Sequence, residues 1–150
     1  MAFTAGYWAL HQYQPSVLAF AGCDMTYPKS GATHFYGSGR PDPLRPDITL
    51  QSLEAKSARL MALAASDGAA VVNLSTQPSR LIFPRATPQN TRKARPQTVS
   101  RTIVDAVLER EEALGYLVPS GRYWEETHRF DPAALAILDR LWLSSVVPTT

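Results

Sequence analysis

The residues best equipped for chemistry gather in one stretch, Ser16 to Arg40, which reads SVLAFAGCDMTYPKSGATHFYGSGR. His34 stands there among Gly31, Gly37 and Gly39, and an imidazole near its ordinary pKa is the usual proton carrier at neutral pH. Tyr27 and Tyr36 can each donate an O–H to a charged oxygen such as a leaving phosphate, although as packing aromatics they would look the same. Asp24 follows an apolar run of strand length, Val17 to Ala21; from there a carboxylate orients a hydroxyl or a base, or caps the next turn. A short buried strand that delivers an acid and a Gly-rich, aromatic-rich loop at its carboxyl end is how open α/β sheets build ligand sites.

Other chemistries find little footing. Three His residues far apart and a single Cys give no metal-ligand spacing, so neither a metal nor another cofactor is expected. Cys23, at a strand end with no His near it in sequence, reads as a small buried hydrophobe rather than a nucleophile. No Walker loop, G-x-G-x-x-G or G-x-S-x-G occurs.

The elements that must position these residues can be read from composition and period. The chain has 150 residues, 45% of them hydrophobic, with a formal charge of +2. That suits one domain with a real core and sets up no global field for nucleic acid or membrane. No apolar run approaches the roughly 20 residues of a membrane span, and the amino terminus does not read as a signal peptide, so a cytoplasmic protein is expected.

Thr4 is placed as the N-cap of a short helix over Tyr7 to Tyr13, and Pro15 limits its length. The strand over Val17 to Ala21 leads through the polar loop to a long helix, capped by Asp47 and ended by Asp67-Gly68, with Leu50, Leu53, Leu60, Met61, Leu63 and Ala64 along its apolar face. Ala69 to Leu74 is a second strand, followed by the polar turn Ser75 to Arg80. Strand, helix and strand make a βαβ unit with parallel strands, so both polar loops emerge at one sheet edge.

Beyond it, Pro84, Pro88 and Pro96 interrupt any period, and Arg80, Arg85, Arg92, Lys93, Arg95 and Arg101 occur with no acid between Gly68 and Val104. A solvated, extended linker is the first reading of this run. A basic lid over an anionic substrate is the second, and a nucleic-acid arm the third. A helix from Gln97 or Thr98 to Gly115 follows. Then comes an aromatic segment, Tyr116 to Phe130, read as interhelical packing with a sugar-stacking platform as the alternative. A last helix starts at Asp131-Pro132. The fold class expected is α/β: a partial parallel sheet with flanking helices over residues 1–85, and a basic linker with a C-terminal helical appendage over residues 86–150 of the same domain.

The order of short motifs also carries a resemblance. Thr4-Ala5-Gly6, LAFAGCDMTY from Leu18 to Tyr27, HFYG from His34 to Gly37, SLEAKSARL from Ser52 to Leu60 and VVNLS from Val71 to Ser75 together resemble the second half of the nucleotide-sugar-binding domain of bacterial sialyltransferase-like glycosyltransferases. They are similar also to the related pterin-pyrophosphokinase-like domains. The resemblance covers about the first 85 residues and implies a Rossmann-like half domain of surface-glycan (lipopolysaccharide or capsule) assembly. It implies transfer, without a metal, from a CMP-type nucleotide sugar to a glycan acceptor.

On this chain Thr4 would lie near the nucleotide and Tyr27 near the phosphate. His34 would be the base, and Asp24, Tyr36, Gly37, Ser38 and Arg40 would complete the substrate site. The family's base follows the glycine of the H-aromatic-x-G motif, where this chain has Ser38, so His34 is either the base or the motif's structural histidine. The family's first half, with its Gly-Asn-Gly nucleotide loop, has no counterpart here. A small sheet then keeps an open edge, so self-association, a protein partner or a longer parent chain is expected. The alternative function is a non-enzymatic interaction or glycan-binding module on the same fold.

Overall fold

The computed structural model describes residues 2–26 and 52–146, and the backbone alone of Trp124. Among these residues the order is α1 (Ala2–Tyr13), β1 (Val17–Phe20), α2 (Leu53–Ser66), β2 (Ala70–Asn73), α3 (Arg101–Leu114) and α4 (Pro132–Ser145), with three short 3-10 turns between β2 and α4. This is a mixed α/β fold with a two-stranded parallel sheet, β1 against β2, in register Val17 with Ala70 through Phe20 with Asn73. The parallel pairing expected of the βαβ unit is therefore present, with α2 inside the connection.

Helix α2 is the hub. It packs against α1, β2 and α4, and Leu53, Ala55, Ser57, Ala58, Leu60, Met61, Ala62 and Ala64 are all buried. The sequence suggested one apolar face; the small alanines let neighbours close in on most of its circumference instead. Its N-cap is Ser52, whose hydroxyl accepts from the Ala55 N–H at 3.1 Å. The expected cap, Asp47, lies outside the described residues. Asp67 ends the helix and Gly68 turns the chain at φ 78°, as Asp67-Gly68 suggested.

Helix α1 starts earlier than expected, at Ala2, which puts Thr4 in its exposed first turn rather than at its cap. Ala2 and Phe3 carry no breaker, and both pack on the core. At Gly6 the helix meets α2 and β1 so closely that a Cβ would stand 2.9 Å from Leu60 Cδ2 and 3.1 Å from Phe20 Cζ.

Residues 81–96 are not a free linker. Leu81 and Phe83 are buried, and Arg85 forms a parallel bridge with Asn73. Asn73 N–H donates to the Pro84 carbonyl at 2.9 Å and Ala86 N–H to the Asn73 carbonyl at 3.1 Å. Leu74 N–H turns the other way, to Phe20 of β1, so the 84–86 segment occupies the β2 edge that β1 leaves open. The turn Thr91–Lys93 then lies against β1.

The C-terminal third, expected as a helical appendage of the same domain, shares its core with the first half: one hydrophobic cluster runs from Leu10 to Val146. Helix α3 starts at Arg101, not Gln97 or Thr98, because Val99 is used in an antiparallel bridge to Val146 and Ser100 N–H donates to the Ser145 carbonyl at 2.8 Å. Helix α4 has the expected Asp131 cap, accepting from Ala133 N–H at 2.8 Å, with Pro132 in the first turn. The aromatics between the helices pack as their first reading held, Tyr116 edge-on to Phe130 at 5.0 Å and Tyr123 tilted to it at 6.0 Å.

One carboxylate on α4 works against this packing. Burial pushes the Asp139 carboxyl up; the Lys56 charge pulls it back in part and the Glu54 charge adds to the rise. A folded-state pKa above the unfolded one means that ionising Asp139 costs stability, a cost removed as pH falls through the folded value. Asp139→Asn is therefore expected to raise the unfolding free energy at pH 7, read from a higher urea midpoint, by less than about 1 kcal/mol at this half-exposed site. The gain should shrink to nothing below the ordinary aspartate range, and a variant less stable than wild type at pH 7 would contradict the assignment.

Candidate functional site

The two strands run in the same direction and end together, and the residues just beyond them are bonded to each other. After β1 the chain turns through Gly22 at φ 66° and Met25 at φ 55°, with Asp24 between them. After β2, buried Asn73 builds a turn: its Oδ1 accepts from Ser75 N–H at 2.9 Å, and its Nδ2 donates to Ser79 Oγ at 3.1 Å. A side-chain amide that reaches its own backbone two residues on is the usual device for a tight polar turn.

The turn is fastened to Asp24. Ser75 Oγ donates to Asp24 Oδ2 at 2.6 Å, Ser79 Oγ donates to the Asp24 carbonyl at 3.4 Å, and Arg80 N–H donates to the same carbonyl at 2.9 Å. The Ser75 hydroxyl holds the Asp24 carboxyl below the usual range; burial opposes it, and the Ser79 and Asn73 side chains and the Arg85 charge add to the lowering. Asp24 is thus a carboxylate at neutral pH. Its Oδ1 is buried with no hydrogen-bond partner among the described residues.

The basic run divides into separate jobs. Arg80 pairs with Glu54 of α2, Nε to Oε1 at 2.7 Å and Nη2 to Oε2 at 2.9 Å, which lowers the Glu54 pKa against the opposing effect of burial. Arg85 instead grips the turn after β2, with its guanidinium donating to the Ser75 carbonyl and to the Gln77 carbonyl, the latter at 2.7 Å. Arg85, Lys93 and Arg95 line a cleft of about 920 Å³ whose floor includes Val72 and Ser75.

Of the residues singled out in the sequence, Asp24 is at this edge. Thr4 is an exposed helical residue with no cap to offer. Tyr27, His34, Tyr36, Gly37, Ser38 and Arg40 lie outside the described residues. The structure adds Asn73, Ser75, Ser79 and Arg85. The Asn-x-Ser order at the end of a strand pattern was the signal for the first two, and Arg85 was marked only as a member of the basic run, with nothing to tie it to this turn. No group of acids, His and Cys suited to a metal occurs among the described residues. None of the helices among them is long and apolar enough to cross a membrane. The chain matches no family model, no curated protein and no solved structure.

Proposed function

We propose that this chain is a nucleotide-sugar-binding domain of the sialyltransferase-like kind, built on part of a Rossmann-like sheet and serving surface-glycan assembly. The observation that carries the reading is the meeting of Asp24 and Ser75 at the carboxyl ends of two parallel strands, the place where open α/β sheets hold nucleotides. A carboxylate kept ionised at this edge is the kind of acceptor that a sugar or ribose hydroxyl requires. In the transfer itself His34 would take the proton of the acceptor hydroxyl and Tyr27 would donate to the departing phosphate oxygen.

Calorimetric titration of the chain with CMP tests it. Binding is expected, weaker by about tenfold in both Asp24→Asn and Tyr27→Phe through loss of a charged or phosphate-directed hydrogen bond. In His34→Ala, transfer should be lost while CMP binding holds. Silence toward CMP, UMP and AMP alike would overturn the reading.

A second reading, an interaction module on the same fold, is favoured by one specific observation. Trp8 and Tyr13 on α1 are 58% and 67% exposed and stack edge to face at 5.3 Å. Exposed aromatic pairs of this kind are common at protein and glycan contacts. Nucleotide silence together with self-association sensitive to Trp8→Ala would select it.

A further inference from the structure

The cleft beyond β2 adjoins the Asp24 tip through Ser75 and carries a cationic wall that the tip does not use. Its cationic wall is Arg85, Lys93 and Arg95, drawn from a stretch that has no acid between Gly68 and Val104. None of the three makes an ion pair among the described residues. Asp24 feels the Arg85 charge, but its hydrogen bond goes to Ser75. The Asp24 carboxylate offsets Arg85 in part, but Lys93 and Arg95 have no such counter-charge among the described residues; like charges around one concavity raise each other's energy, and the arrangement is stabilised when an anion enters.

The three cations are also positioned differently. Arg85 is held by two backbone carbonyls of the 75–77 turn and keeps further N–H donors to spare. Arg95 folds its guanidinium back on the carbonyls of Lys93 and Ala94, at 3.2 and 3.3 Å. The Lys93 ammonium makes no hydrogen bond among the described residues. Val72, Pro78, Pro84, Ala86 and Ala94 supply apolar wall between the charges, and among the described residues no aromatic side chain lines the cleft.

We propose that this cleft is a diphosphate-binding site, with Arg85 and Arg95 as fixed donors and Lys93 as the mobile one. Three positive groups match the two to three negative charges of a diphosphate and exceed what one monoester phosphate neutralises. Among the described lining residues no ring supplies the stacking on which single-stranded nucleic acid depends. The diphosphate could belong to a free nucleotide or to a lipid carrier, since the apolar wall tolerates either. The site is a neighbour of the Asp24 tip on which the donor reading rests, but it is argued from its own cations and stands without that reading.

The experiment is calorimetric titration of the full chain at low salt with inorganic pyrophosphate, inorganic phosphate, UDP, geranyl diphosphate and a single-stranded dodecanucleotide. Pyrophosphate is expected to bind one to one and at least about tenfold more tightly than phosphate, and to weaken as salt screens the charges. Lys93→Ala should weaken it about tenfold and Lys93→Ala with Arg95→Ala further, with unchanged thermal midpoints, while the exposed Arg110→Ala leaves it as it was. Tighter binding of UDP assigns the nucleotide source, and tighter binding of geranyl diphosphate the lipid source.

Equal binding of phosphate and pyrophosphate, an unaltered double variant, or an oligonucleotide that outcompetes pyrophosphate would each overturn the proposal. Pyrophosphate binding with silence toward CMP, UMP and AMP leaves this site standing and removes the donor reading; nucleotide binding with silence toward pyrophosphate removes this site alone.

Discussion

Trp142→Ala is expected to lower the free energy of unfolding by about 3–5 kcal/mol, the range for deleting a large buried aromatic. Trp142 is 1% exposed, and its ring does more than fill space. Its Nε1 donates to Glu111 Oε1 of α3 at 2.7 Å. The same carboxylate takes a two-pronged contact from Arg59 of α2, Nε at 3.0 Å and Nη2 at 2.9 Å. The Arg59 guanidinium lies 5.2 Å from the Tyr7 ring and 5.4 Å from the Trp142 ring, within cation–π range of both.

Four helices meet at this one carboxylate and its cation. Burial works against the Arg59 charge, but Glu111 and then Tyr7 outweigh it and push its pKa up. Burial raises the Tyr7 pKa despite the opposing pull of Arg59. Urea unfolding of Trp142→Ala checks the estimate, and Trp142→Phe separates its two parts: it keeps most of the ring contact and loses the N–H, for about 1–2 kcal/mol. A loss under about 1 kcal/mol in Trp142→Ala would mean that the helices hold together without this junction.

Asn73→Ala is the second large effect, about 2–3 kcal/mol, and it reaches the site as well as the fold. Asn73 is 1% exposed, and its amide is satisfied by Ser75 N–H and Ser79 Oγ. Truncation leaves both partners to find replacements. The turn after β2 should loosen, and with it the Ser75 hydroxyl on Asp24 and the carbonyls that seat Arg85. Amide exchange at Ser75 and Leu81 should accelerate along with the fall in stability. Unchanged exchange there would show that the backbone bonds to Pro84 and Ala86 hold the turn unaided.

Part of this architecture was written plainly in the sequence. The apolar runs at Val17 and Ala69 gave both strands, and the long intervening helix gave their direction. Helix ends were harder. Thr4 looked like a cap because Ala2 and Phe3 carry no signal of their own, and Gln97 or Thr98 looked like a start because nothing local reveals that Val99 is drawn to Val146. Leu81 and Phe83 were hidden because the period that marks burial is broken by prolines, and their cover comes from the sheet and its helices. The pairing of Arg59 with Glu111 spans 52 positions, and no spacing rule reaches that far.

At the site, Asp24 was legible from the end of its strand and the turn after β2 from its polar composition. The division of labour among the arginines was not: Arg80 and Arg85 stand five positions apart in one basic run, yet one is quenched by Glu54 and the other seats a turn.

The stretch between β2 and α3 is anchored at both ends, by the Asn73 rungs to Pro84 and Ala86 and by the Val99 bridge to Val146. A tether pinned twice has already surrendered much of its conformational freedom during folding. A visitor captured by Lys93 or Arg95 therefore meets a wall whose ordering was completed beforehand, and loses less affinity to organising it than it would on a dangling tail of the same composition.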